Sequence, residues 1–500
     1  MHAIDRRWVP TLLVVIAAMA CSEASGTFIT QEAQDAATVG AETITPADLR
    51  ARIGVLAHDS MRGRNTPSPE LTKAADYIAN EFRDIGLLPG NGDGYLQRYP
   101  LTFIRPGAPE AQSVRIRWPG GERALEASEF ISVPVGERLE GSGPLVLMGS
   151  ADADVDVAGK IAVVRVTREQ MQRVLGSLRE LVSERVSGVI LAVAAPPEYL
   201  AGVRRFFGRE RMSVGEPDAL SAPVMLVAEE TLPATLVAAL QSGGSLPGGF
   251  SATLHSEAEI RSDDGLNTIG WLEGSDPGLQ GEFIIFTAHM DHVGVGRAVN
   301  GDSIYNGADD DASGTAAIVE LAEAYAAMPA RPRRSMVFMA VSGEEKGLLG
   351  SQWYSEHPLF PLEATVANLN LDMIGRNWRD TVVAIGRNES TLGATLLQVA
   401  DEHPELNLDI IDDPWPEERF YFRSDHYNFA RKGVPILFFF TGTHEDYHRP
   451  SDHVDRILYE KTSRITQLIY YLGLEIADAS GRPEWDPEAY RQVVEGDGDN

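Results

Sequence analysis

From Thr45 to about Phe103 the chain carries two amphipathic helical patterns, "PADLRARIGVLAHD" and "PELTKAADYIANEFRDIG", closed by the turn-rich "LLPGNGDG". In the second, Leu71, Ala74, Ile78 and Phe82 recur on one face, and Gly86 stands where a C-terminal cap belongs. Between about Glu129 and His255 the texture changes to short β-like runs, "GPLVLMG", "GKIAVVRV" and "GVILAVA", around one helical stretch, "EQMQRVLGSLRELVSERV". This pattern predicts a self-contained α/β module. From "NTIGWLEG" onward, the apolar strands "FIIFTAH", "SMVFMAV", "ATVANLNLD" and "VPILFFF" alternate with helices such as "ASGTAAIVELAEAYAAM". Near-continuous apolar strands alternating with helices predict an α/β sheet buried on both faces. The closing "GRPEWDPEAYRQVVEGDGDN" is acidic and predicts a loosely held tail.

A chain of 500 residues, 43% of them hydrophobic, has room for two or three domains with sizeable cores. Its 43 basic against 73 acidic residues give a net charge of -30, which repels phosphate backbones and excludes nucleic acid as a partner. Residues 1–20 read as a targeting segment: Arg6 and Arg7 precede the apolar run "WVPTLLVVIAAMA", which is short for a bilayer span. Cys21, the only cysteine, follows at once and resembles the modified cysteine of a bacterial lipoprotein signal. Two outcomes follow: a lipid on Cys21 holding the protein at the cell envelope through a flexible tether of residues 21–44, or an ordinary secretory signal and a periplasmic or secreted protein. Neither leaves a second cysteine for an internal disulfide.

Several strands end in residues able to bind a metal, at the edge where open α/β sheets build their sites. "FTAHMD" sets His289 and Asp291 two apart, so the carboxylate could orient the imidazole. "YNGADDDASG" puts three aspartates before a long helix; Asp311 suits a helix cap, and three exceed what a cap needs. "LNLDMIGR" supplies Asp372 after an apolar strand, where an unpaired carboxylate would be costly. "VSGEEKGLLGS" places Glu344 beside Glu345, and "EDYHRPSDH" adds Tyr447 and His448 with His444 and His453 nearby. Taken singly, each of these is also compatible with an acidic turn or a surface loop.

"AHMDH", "NGADDDASG", "SGEEKGLLGS", "LNLDMIGR" and "YHRPSD", in that order, resemble the M28 family of zinc exopeptidases. The resemblance implies a zinc-exopeptidase (phosphorylase/hydrolase-like) fold with a central mixed β-sheet flanked by helices. By it, residues 45–128 and 257–480 form the catalytic domain, and residues 129–256 an inserted module similar to a protease-associated (PA) domain. Residues 481–500 are left as the tail. The resemblance further implies two zinc ions, with Asp310 bridging them, His289 and Asp372 completing one set, and Glu345 and His448 the other. Cobalt or manganese would suit the same oxygen and imidazole donors. Glu344 would be the general base toward the attacking water, Tyr447 would stabilise the oxyanion, and a cis peptide would follow Asp310. The implied activity is release of N-terminal residues from peptide substrates. Carboxypeptidase or glutaminyl-cyclase-like amide chemistry and a non-catalytic peptide-binding protein are the alternatives.

Overall fold

Central strands alternate their side chains between two hydrophobic layers, as near-continuous apolar runs require. In the strand Phe283–His289, Ile284, Phe286 and Ala288 enter one core and Ile285 the other. The computed structural model describes residues 31–148, 156–183, 185–215, 220–243 and 246–496; the targeting segment, Cys21 and the first part of the expected tether lie outside the described residues. Eight of the main-sheet strands are β1 (Leu96–Pro106), β2 (Ser251–Leu272), β3 (Phe283–His289), β4 (Ser335–Val341), β5 (Thr365–Leu371), β6 (Thr381–Ile385), β7 (Asp409–Ile411) and β8 (Ile436–Phe440). They pair in the order β1-β2-β4-β3-β5-β8-β6-β7. Within it β4, β3, β5 and β8 are mutually parallel, whereas β1 to β2, β2 to β4 and β8 to β6 are antiparallel. The sheet is therefore mixed, and helices cover it.

The helices are α1 (Gln31–Ala41), α2 (Pro46–Leu56), α3 (Pro69–Ile85), α4 (Ala312–Ala327), α5 (Tyr459–Asp478) and α6 (Pro487–Val493). Helix α3 buries the face expected of it, starts at Ser68, whose hydroxyl accepts from Leu71 N, and stops at Gly86 with φ 91°. Helix α4 is buried nearly all round between α2, α5 and the sheet. It lies so close to β5 that a Cβ on Gly314 would meet Leu371 O at 2.3 Å, so only glycine fits.

Two expected loose segments are ordered. Residues 31–41 of the expected tether form α1, where Ala37 and Ala41 are buried and Gly40 lies against Tyr470 on α5. An alanine and glycine surface docks without a conspicuous apolar stripe, which is why the periodicity does not announce it. In the expected tail, Trp485 packs beside the second core and donates to Gly433 O, and Asp486 caps α6.

The inserted module has cores of its own, formed by residues such as Ile161, Val163 and Ile190 on one face of its strands and Ala162, Val189 and Leu191 on the other. It also recruits Val114 and Ile116, upstream of the expected start at residue 129, because the alternation in Ser113–Trp118 points both inward. Strand β2 runs through both units. Glu257 still pairs with Arg138 of the module and Ala258 already pairs with Pro106 of β1, so β2 changes partner between these two residues. Among the described residues no helix is long and apolar enough to cross a membrane.

Candidate metal centre

Because β3, β4, β5 and β8 are parallel, their C-terminal ends share one edge of the sheet. His289 ends β3, Glu344 and Glu345 follow β4, Asp372 follows β5, and the loop bearing Tyr447 and His448 follows β8. Asp310 and Asp311 come in at the N-terminus of α4. The topology thus gathers residues far apart in the chain at one place.

His289 Nε2 lies 3.3 Å from Asp310 Oδ1 and 3.4 Å from Asp372 Oδ1. His448 Nε2 lies 3.2 Å from Asp310 Oδ2 and 3.0 Å from Glu345 Oε2. The two oxygens of Asp310 therefore face two separate sets of donors, one on each side. The Asp310–Asp311 peptide is cis. Glu344 Oε2 stands 3.9 Å from His289 Nε2, and with Tyr447 and Arg423 it lines the cleft over the cluster. The Tyr447 ring stacks on His448 with centroids 3.9 Å apart.

Glycines at both ends explain how adjacent glutamates serve different neighbours. Gly343 (φ 75°) and Gly347 (φ 107°) bracket the single helical turn Glu344–Lys346. Glu345 turns toward His292 and His448, and Glu344 toward His289.

Around these residues a second set holds them. Asp311 caps α4 through Gly314 N and also accepts from His289 N and Met373 N, tying three site segments together. Ser424 donates to Asp372 Oδ2 at 2.8 Å. Asp452 accepts from the backbone N–H groups of Asp309 and Asp310, while Asp309 accepts from Gly375 N and faces His444 Nε2 at 3.2 Å. Asp291 is placed differently from the expectation. His289 Nδ1 donates to the backbone carbonyl of Asp291 at 3.1 Å, and the Asp291 carboxylate is 3.9 Å away, accepting instead from Glu344 N. Residues two apart on a strand share a side only while the strand persists, and β3 stops at His289.

His292 is the clearest residue that the sequence reading passes over. It is fully buried, with Nδ1 2.7 Å from Glu345 Oε1 and 3.6 Å from Asp310 Oδ2. The signal available was its place in "AHMDH", three residues after His289.

The electrostatics are those of acids crowded out of water. Burial pushes the Glu344 carboxyl well above the usual carboxylate range, and Asp372, Glu345 and Asp425 push the same way against His289. Burial and Asp310 also oppose ionisation of Glu345, but His292 and His448 outweigh them and hold it at about 2. For His448, burial disfavours the cation, yet Asp310 and Glu345 raise it to about 10.

A divalent cation fits these residues on two observations. Asp310 Oδ2, Asp372 Oδ1 and Nε2 of His292 are buried without a hydrogen-bond partner, which is costly for polar atoms in a protein interior. The donors are imidazoles and carboxylates with no thiolate, a set suited to zinc. Candidate ligand atoms of His289, Glu344 and Asp372, and likewise of His292, Asp310 and Glu345, lie within 4.8 Å of one another.

Residues 267–473 match the family model described as Peptidase family M28. Among curated relatives, this chain is 25% identical to aminopeptidase YwaD of Bacillus subtilis (strain 168) over 214 residues, covering 41% of this chain and 43% of the relative. It is 31% identical over 141 residues to aminopeptidase NAALADL1 of Mus musculus, covering 27% of this chain and 17% of the relative. The chain thus spans less than half the length of these relatives. Among solved structures, an aminopeptidase from Aneurinibacillus sp. strain AM-1 is similar with a TM-score of 0.48 and 20% identity, covering 90% of this chain and 98% of that one.

Proposed function

We propose, from the match of residues 267–473 to the model of peptidase family M28, that the chain is a metal-dependent exopeptidase of that family releasing N-terminal residues from peptides. The observation that carries the proposal is the convergence of His289, Asp310, Glu345, Asp372 and His448, with buried acceptors lacking partners, beneath a cleft that Glu344 and Tyr447 line. Asp310 would bridge two zinc ions, His289 and Asp372 completing one set and Glu345 and His448 the other, with His292 behind Glu345. When bound, zinc would supply Lewis-acid activation of water and of the scissile carbonyl.

The chain's own residues then have defined tasks. Glu344 takes a proton from the water as its oxygen attacks the carbonyl carbon, and returns one to the leaving amine as the C–N bond breaks. Tyr447 donates its hydroxyl to the developing oxyanion. Asp291 fixes the backbone of Glu344 and, through its carbonyl, the ring of His289. The module around residues 129–256 is read as a protease-associated domain.

The direct test is a pair of chromogenic peptides, one with a free amino terminus and one N-acetylated, with and without chelator. Hydrolysis of the free peptide alone, abolished by chelator and restored by zinc, is the expected result. Equal cleavage of both peptides would sink the exopeptidase reading, and indifference to chelator the metal reading.

At the other end of the chain, Cys21 is proposed to carry a lipid that holds the enzyme at the cell envelope. Cys21→Ala is then expected to shift the protein from the membrane to the soluble fraction with unchanged activity. Unchanged partitioning would favour a plain secretory signal.

A further inference from the structure

In a chain of net charge -30, many arginines are paired with acids, as Arg52 is with Glu320 and Glu323, Arg105 with Glu259, and Arg333 with Asp276. Arg50, Arg379, Lys461 and Arg464 depart from that pattern. They line one cleft of about 600 Å³ on the α2 and α5 side of the molecule, and Glu460 is the one carboxylate among its lining residues. Among the described residues, none of the four has a carboxylate oxygen within the 4.0 Å of an ion pair.

The four cations divide into two kinds. Arg464 commits its donors to the carbonyls of Arg379, Leu406, Asn407 and Glu460, and buried Lys461, its pKa lowered by burial to about 8, donates to Arg376 O, so both are held in place in the wall as cations at neutral pH. Arg50 and Arg379 are exposed. The Arg50 guanidinium lies 4.0 Å from the Tyr459 ring centroid, which orients it and leaves its N–H edge free. The first turns of α2, at Pro46 and Ala47, and of α5, at Tyr459 to Lys461, open onto the same cleft. Both present the positive ends of helices to it.

We propose that this cleft, apart from the metal centre, is a binding site for a tetrahedral oxyanion of the phosphate or sulfate class, with Arg50 and Arg379 as its movable donors and Lys461 and Arg464 as its fixed field. The proposal does not depend on the peptidase reading, because binding is measured directly.

The test is titration calorimetry of the zinc-loaded protein with inorganic sulfate against a chloride background of equal ionic strength. Saturable binding of one sulfate per chain is expected, weakened at least ~10-fold in Arg50→Ala/Arg379→Ala, since each lost guanidinium removes charge-assisted hydrogen bonds. The Arg50→Lys/Arg379→Lys pair should retain most of the affinity. The thermal unfolding midpoint without sulfate should be unchanged in both pairs, which shows that they fold. The single exposed change Arg379→Glu reads the same loss if the double variant does not fold. Absence of saturable binding in the parent chain, or affinity unaltered by these substitutions, overturns the proposal.

Discussion

Glu344→Gln is expected to lower peptide turnover at least ~10²-fold, the usual contribution of a positioned proton transfer, while zinc content stays that of the parent chain. The reason is geometric. Glutamine keeps the shape of the side chain, and the proposed ligand Glu345 points the other way, toward His292 and His448. Glu345→Gln should behave differently: it removes a charged donor from one metal set, so zinc content and activity should fall together, and added zinc should restore part of both. An ordinary acidic turn makes a third forecast, small effects at both positions of within about ±0.5 kcal/mol. Metal analysis beside kinetics on the two single variants separates these outcomes. Equal, small effects would return both glutamates to the status of solvated charges.

What the sequence makes legible is whatever local pattern decides. The apolar face of α3, its glycine stop, and the two-faced strands are all local, and the structure has them where the pattern puts them. Strand ends are legible too, so His289 and Asp372 could be nominated without knowing their neighbours. Residues whose role depends on several distant segments are not. His292 lies past the end of β3, where no periodicity says which way a side chain turns. Asp452 in "RPSDH" reads as a loop acid, and only the fold brings it against the backbone of Asp309 and Asp310. Arg64 is the extreme case, because "RGRNTP" has the composition of an exposed turn.

Arg64→Met is expected to destabilise the protein by roughly 3–5 kcal/mol, the range for breaking a buried charged network. Arg64 is fully buried, and its guanidinium donates to four carbonyls, those of Leu56, Met290, Asn306 and Gly307. Burial pulls its pKa down, while Asp291, Asp310, Asp311 and Asp452 hold the charge in place, so it also serves as a fixed cation behind an acid-rich site. Methionine fills part of the volume and satisfies none of the carbonyls, each left at a cost of about 1–3 kcal/mol. Two of them, Met290 and Gly307, belong to the segments that carry His289 and Asp310, so the loss should extend to the metal centre. Zinc affinity is expected to fall ~10-fold or more, as for other partners that orient ligands from behind. Arg64→Lys, which keeps the charge but not the five-donor fork, should lie between the two. Thermal unfolding of chelated and zinc-loaded samples separates the effects: a lower midpoint in both, with a larger drop when zinc is present, is the expected pattern. An unchanged midpoint for Arg64→Met would mean that the four carbonyls find other partners and that this arginine does not organise the site.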